Sequence, residues 1–379
     1  MILLLRAGYD GFCNPVRTSE LANVRIFESG SRIRSGAVVW GAFYDAWVFD
    51  HLERAQLATL PTPVEDAGRP APDGPRLWIK RDDLTGLGGG GNKARKLEFL
   101  CGDAVQAGAK ALVTVGASQS NHCRMTAAAG ARLGLEVHLV MSGDAPVEGE
   151  QLVGNQLLSA MFGAQMHHTG AAESHWGELE IAREALTDEL AGQALSPYSI
   201  PIGGSTAVGA LGYAAAFVEL IDQFDALGVL PTAIVFTSSS GGTHAGLVAG
   251  RAALLASGRL TIETAPDIVA IGVAKGVNLG LPNVADLADR ALELMGVEAR
   301  VAPDDVEVDP NWIGDDYAVP TEAGTAAITW AATSGGWLVD ATYSGKGLSG
   351  ALGLVGSGRW NADDDVVFIH TGGWPALFA

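Results

Sequence analysis

At 379 residues, 48% hydrophobic and 18% charged, the chain is long enough for one large or two medium globular domains with a sizeable core. Its 43 acidic and 24 basic residues leave a net charge of -19, which repels phosphate backbones and anionic lipid and argues against nucleic acid or a membrane surface as partner. The three cysteines, Cys13, Cys101 and Cys123, are odd in number and lack paired metal-ligand spacing, so no metal is expected and a reduced, cytoplasmic compartment fits.

The start, MILLLRAG, lacks the plan of a signal peptide, and no uninterrupted apolar run approaches the length of a bilayer crossing. Residues 1–50, with the aromatic-rich WGAFYDAWVFD, show neither helical nor strand period. They read as an appended segment or, the favoured alternative, as a start upstream of the true one. Pro61 and Pro63 then force an extended stretch. LWIKRDDL, Leu77 to Leu84, reads as a short strand running into the loop GLGGGGN, Gly86 to Asn92.

From there the pattern alternates. A helix is expected over 93–107, a strand over 111–115, a helix over 121–133 and a strand over 136–141. Helices follow at 151–162 and 177–191, then a strand at 198–202, a helix at 208–224, a strand at 233–237 and a helix at 243–256. Strand 267–273, helices near 285–295, 322–332 and 345–354, and a last strand VVFIH complete the chain. Short apolar strands separated by longer helices imply an α/β fold of parallel strands with helices on both faces. Ligand loops then belong at strand carboxyl ends.

Three loops carry chemistry. The glycine run before Lys93 fails as a nucleotide P-loop, since Asn92 precedes the lysine and Ala94 follows it. It also lacks the acidic partner of a dinucleotide fingerprint. A solvated lysine on a flexible loop is one remaining reading; the other is an amine nucleophile for a Schiff base, one of only six lysines in the chain. TSSSGGTHAGL, Thr237 to Leu247, places the Ser239, Ser240 and Thr243 hydroxyls and the Gly241 and Gly242 amides at a helix start, where a dianionic phosphate binds without metal or lysine. GASQSNHCR, Gly116 to Arg124, offers Ser118, Ser120, Asn121 and His122 at a third strand end; a plain capped helix start is the alternative.

Together these loops resemble the pyridoxal-phosphate enzymes of the tryptophan synthase β fold, and within them the D-cysteine desulfhydrase and 1-aminocyclopropane-1-carboxylate deaminase family. The resemblance runs from LATLPTPVE through IKRDDLTG, GGNKARKLEF, SQSNH, GGTHAG, YAVPTEAG and TYSGKGLSG to HTGGWPALF, over nearly all of residues 55–379. It implies a two-domain fold type II enzyme with mostly parallel, twisted sheets. A large cofactor domain (51–96 and 202–379) would hold a smaller insertion (97–201). Lys93 would carry pyridoxal 5'-phosphate and move the proton at the substrate's Cα. Asn121 would bind the cofactor's phenolic oxygen, and Ser239 to Thr243 its phosphate. Ser120, Tyr317 and Tyr343 match the family's catalytic serine and tyrosines. His122 and His244 are expected to be local hydrogen-bonding residues.

Two positions separate the branches. The deaminases typically carry glutamate after the second tyrosine and HLGG near the end; here Ser344 and Thr371 stand in those places. Hydroxyls leave the cofactor's ring nitrogen largely neutral, a weaker electron sink, which favours expulsion of a Cβ leaving group over cyclopropane opening. The resemblance therefore implies α,β-elimination on a small amino acid, foremost D-cysteine to pyruvate, sulfide and ammonia, by a homodimer. L-cysteate and the cyclopropane amino acid are alternative substrates, and a silent cofactor- or ligand-binding protein is the alternative of a different class. Thr321, in place of the family's asparagine, and the bulky Trp374 leave the pocket's shape open.

Overall fold

The computed structural model describes residues 48–379 except 148, 173–174 and 275–282, so the readings of residues 1–47 and of Cys13 lie outside the described residues. Two sheets organise the chain. The elements run β1 Val64–Gly68, β2 Arg76–Lys80, α1 Lys93–Gln106, β3 Ala111–Gly116, α2 Asn121–Leu133, β4 Glu136–Met141, α3 Gly154–Met161, β5 Gln165–His168, α4 Trp176–Gly192 and β6 Pro197–Ser199. They continue with α5 Ala207–Leu227, β7 Ala233–Ser238, α6 Gly242–Ala256, β8 Asp267–Gly272, α7 Asn283–Leu294, β9 Glu307–Asp309, α8 Glu322–Gly335, α9 Ser344–Gly356 and β10 Asp365–Ile369.

The larger sheet has the order β1-β2-β10-β7-β8-β9 and the smaller one β5-β4-β3-β6. All described pairings are parallel except the β1 edge, which runs antiparallel to β2. The period-2 alternation of strand side chains distributes the core. Ile234 and Phe236 of β7 pack with α5, α6 and α7 on one face, while Ala233 and Val235 pack with α8 and α9 on the other. In the smaller sheet Leu112 and Leu139 face α1 and α2, and Val115 and Val140 face α4. Every strand of the smaller sheet lies inside the 97–201 segment, but the expected division at 96/97 falls within α1. That helix packs its Phe99 with the larger sheet's core and its Leu97 and Leu100 with the smaller one's.

Three strands escape sequence patterning. β1 reads only as an extended stretch, β5 (QMHH) is polar, and β9 (EVD) is three residues long; all three are sheet edges, half solvated, where no apolar run is needed. α5 is the one described helix long and apolar enough to cross a bilayer by length and composition, although Glu219, Asp222 and Asp225 interrupt its apolar run. It is a core helix. Gly212 lies against the Arg95 carbonyl of α1, Gly246 of α6 lies against the Ala210 carbonyl, and Glu219 is buried in an ion network described below.

Candidate functional site

The loops that leave β3, β7 and β10 at their carboxyl ends converge with the start of α1 on one cleft. Lys93, Ser120, Asn121, Ser239, Ser240, Gly241, Thr243, Tyr317, Tyr343 and Thr371 all line it. Two expected residues do not, Gly242 and Ser344.

Lys93 owes its position to the turn before it. Gly90 has φ +82°, and a Cβ there would overlap the Asp83 carbonyl oxygen; Gly91, at φ +129°, donates its N–H to Thr85 Oγ1 (2.8 Å). The Asn92 N–H donates to the Thr371 carbonyl (3.0 Å), tying the start of α1 to the loop after β10. Glycine is required at Gly90 by both φ and space. Gly90→Ala is expected to cost upward of ~2 kcal/mol of stability, checked by thermal unfolding; an unshifted midpoint would refute it. Desolvation lowers the Lys93 amine to about 8, so about a tenth of it is neutral and nucleophilic at about pH 7, far more than for an ordinary lysine. Its nearest hydrogen-bonding partner is Asn92 Oδ1, at 3.4 Å.

The cleft wall opposite is built by two loops, one of which sequence reasoning missed. At the start of α6, Gly241 takes φ +83°. Facing it is the turn Ile202–Gly204, continuing into Ser205. The Ser205 hydroxyl donates to Ser240 Oγ (2.8 Å) and accepts from the Gly242 N–H (3.2 Å). The Gly242 amide is thus occupied, and Gly242 lies behind the cleft wall rather than in it. The Asn92 side chain donates to Thr243 Oγ1 (3.2 Å). Behind the wall lies Lys96, one helical turn after Lys93 and 1% exposed. It donates to the Gly203 carbonyl (3.1 Å) and has no carboxylate partner among the described residues. Burial, and then the charge of Lys93, push its amine well below the usual range. The only sequence signal for Lys96 was its helical spacing from Lys93.

Ser120 caps α2, its hydroxyl accepting from the Cys123 N–H (3.2 Å), while Asn121 opens the helix at the cleft. His122 Nε2 meets Thr114 Oγ1 at 2.9 Å. Because that hydroxyl donates to the Ile200 carbonyl (2.9 Å), the imidazole is the donor in the pair, and desolvation holds it neutral. His244 departs from the expectation of a hydrogen-bonding role. It is fully buried edge-on against Phe236, with neither ring nitrogen paired, and burial lowers it to about 3.

The Tyr317 and Tyr343 hydroxyls hydrogen-bond each other across the cleft wall, and Trp176 stands edge-on to Tyr317 with ring centroids 5.3 Å apart. Ser344 corrects the reading of this segment. Its hydroxyl lies 2.6 Å from Asp340 Oδ1 and 2.8 Å from the Gly372 carbonyl, and its N–H also donates to Asp340. Asp340 further accepts from the Thr342 and Tyr343 N–H groups, so it anchors the turn that presents Tyr343. Thr371 alone of the two branch-marking hydroxyls reaches the cleft. Thr321 is explained by capping: its hydroxyl accepts from the Gly324 N–H (2.9 Å) at the start of α8. Trp374 does not crowd the cleft; its indole N–H donates to the Gly89 carbonyl (2.6 Å), covering the glycine turn from outside.

A family profile described as "Pyridoxal-phosphate dependent enzyme" matches residues 55–372. The chain is 38% identical to the D-cysteine desulfhydrase of Serratia proteamaculans over 329 residues, covering 86% of this chain and 95% of that one. It is 37% identical to the D-cysteine desulfhydrase of Salmonella typhi, with the same coverage. Among solved structures, an ACC deaminase homologue superposes with a TM-score of 0.75 at 34% identity, covering 88% of this chain and 95% of that one. An L-serine ammonia-lyase from Rhizomucor miehei, at 18% identity, shares the fold with a TM-score of 0.56 over 84% of this chain and 95% of that one.

Proposed function

The chain belongs to the pyridoxal-phosphate dependent enzymes, and from that premise we propose that its cleft catalyses α,β-elimination on a small amino acid, with D-cysteine as the foremost substrate. D-cysteine and water would give pyruvate, ammonia and hydrogen sulfide. The relatives named above support the substrate; the observation that carries the reaction type is Thr371. Among the described residues no carboxylate lines the cleft, and the group offered there in place of an acid is a hydroxyl.

The residues present fit the cofactor. An amine lowered to about 8 suits bonding to an aldehyde carbon. A cradle of hydroxyls and a helix start, backed by a buried amine with no carboxylate partner, suits a dianionic phosphate. Ser238 adds a buried hydroxyl without a partner at the cleft wall. When bound, the cofactor supplies an electron sink for the charge that develops at the substrate's Cα.

The chain's own side chains then divide the work. Lys93 removes the Cα proton. Ser120 and the first amides of α2 hold the substrate carboxylate, using the N-terminus of a 13-residue helix. Ser239, Ser240, Gly241 and Thr243 would hold the phosphate, whose negative charge would favour protonation of the Lys96 amine behind them, and Asn121 would donate to the phenolic oxygen. Thr371 would offer the ring nitrogen a hydroxyl, too weak an acid to protonate it. The Tyr317 and Tyr343 hydroxyls, joined to each other, pass a proton to the departing sulfur.

The same reading takes the large and inserted domains from the family, together with a homodimer, which light scattering would check. Cytoplasmic location is supported by the two described cysteines, Cys101 and Cys123, both buried and free. The decisive assay compares pyruvate release from D-cysteine and L-cysteate with the release of 2-oxobutanoate, the deamination product, from the cyclopropane amino acid. D-cysteine is expected to turn over fastest. A yellow protein silent on all three would refute the proposal in favour of a catalytically silent binder.

A further inference from the structure

Asn121 carries an amide whose two ends differ in what they offer a ligand: one end donates, the other accepts. Which end faces the cleft is set from outside it. Asn155, in the first turn of α3 and 1% exposed, directs the two hydrogens of its Nδ2 to the Gln119 carbonyl oxygen (2.9 Å) and to Asn121 Oδ1 (3.2 Å). A main-chain carbonyl can only accept, so it determines which end of the Asn155 amide lies against it. Turning Asn155 over would set two acceptors face to face. With Asn155 held this way, Asn121 must present its own oxygen to α3, because the reverse would oppose two donors. The Nδ2 of Asn121 is then the end that remains for the cleft this residue lines.

Two further contacts hold the arrangement. The Asn155 N–H donates to Gln119 Oε1 (2.7 Å), and the Ser159 hydroxyl donates to the Asn155 carbonyl (2.8 Å). Asn155 Oδ1 is left buried without a partner. An unpaired buried acceptor is a cost that the fold carries to keep the donor end in place.

We infer that Asn155 is a positioning residue: anchored on the Gln119 carbonyl, it locks Asn121 as a hydrogen-bond donor toward the anionic phenolic oxygen of the cofactor. The inference rests on the proposed function above and deepens it by extending the cofactor site to α3, on the smaller sheet's side of the molecule. The donor stabilises the charged form of that oxygen. With the lock removed, the Asn121 amide can rotate, the oxygen becomes more basic, and cofactor affinity falls.

The test reads the cofactor directly. Apoprotein is titrated with pyridoxal phosphate, following the emission of the chain's nine tryptophans, and the visible band of the loaded protein is followed against pH. Asn155→Leu is expected to weaken cofactor binding about tenfold, the worth of one hydrogen bond to a charged group, and to move the spectral midpoint to higher pH. Asn155→Ala should act in the same direction and decides the matter if the leucine variant does not fold. In an Asn121→Ala background, Asn155→Leu should add nothing, because its effect runs through Asn121. Unchanged affinity and midpoint in both Asn155 variants, or an equal loss with and without Asn121, would overturn the inference and leave the proposed function standing. A wild-type protein that acquires no visible band with pyridoxal phosphate would overturn both.

Discussion

Lys93→Ala is expected to abolish the visible absorption band of the bound cofactor and to lower pyruvate formation by roughly a thousandfold or more, the loss of both the covalent anchor and the general base. The structure makes the second half of that statement specific. Desolvation lowers the Lys93 amine to about 8, so in the apoprotein the neutral, bond-forming fraction falls by about tenfold for each pH unit below that value. Reloading of wild-type apoprotein should therefore slow steeply from about pH 8 to about pH 6 and level off above. A loading rate that stays flat over this range would assign the bond-forming amine elsewhere, and Lys96 is the other buried amine close enough to be considered. Its separate position is testable in the same experiment. Lys96→Met should keep the visible band, because Lys93 is untouched, and should weaken phosphate-dependent affinity instead.

These distinctions were only partly legible in the sequence. β7 and β8 declared themselves as continuous apolar runs because both faces of the larger sheet are covered, whereas β5 and β9 have one free edge and need no such run. Lys93, Ser120, Asn121 and Thr243 could be found because each sits at the junction of a strand end or glycine turn with a helix, where local pattern and chemistry coincide. Lys96, Ser205, Asp340 and Asn155 carry no such mark. Lys96 matters through a contact made across 107 residues of chain, Ser205 through one made across 35, and Asn155 through one made across 34. Ser344 shows the converse. Adjacent to Tyr343 in sequence, it turns in the opposite direction at the start of α9 and is held there by Asp340. Neighbouring positions at a helix start point to different sides, so a motif read as a string does not say which of its side chains reaches a ligand.

Beneath the site lies a second feature without a sequence signature, and it governs stability. Lys80, Asp82, Arg95 and Glu219 are each at most 3% exposed and form one network of two cations and two anions. Arg95, two residues after Lys93, donates to Asp82 (2.8 Å) and to both carboxylate oxygens of Glu219 (2.8 and 2.9 Å). Lys80 bonds Glu219, and Tyr213 donates to Asp82 Oδ2 (2.5 Å). β2, the turn before the glycine run, α1 and α5 are therefore fastened at one point. Glu219→Ala leaves two buried cations with one anion. It is expected to cost about 3 to 5 kcal/mol, lowering the thermal midpoint by about 5 °C. Replacing Lys80 and Glu219 together by Met and Leu should recover much of that loss, because the remaining Arg95–Asp82 pair is neutral. The network also sets the response to acid. Burial pushes the Glu219 and Asp82 carboxyls up, but Arg95 together with Lys80 pulls them further down, and both end below their usual values. Their stabilisation is thus complete above the ordinary carboxylate range and is lost as pH falls through the depressed folded values. In a melting series from about pH 7 downward, the wild-type midpoint should hold until roughly pH 4 and then drop, while Glu219→Ala should start lower and fall less steeply. Parallel wild-type and Glu219→Ala curves would show that these carboxyls do not carry the acid response. An unshifted midpoint at neutral pH would show that the network contributes nothing to holding α1, and with it Lys93, in place.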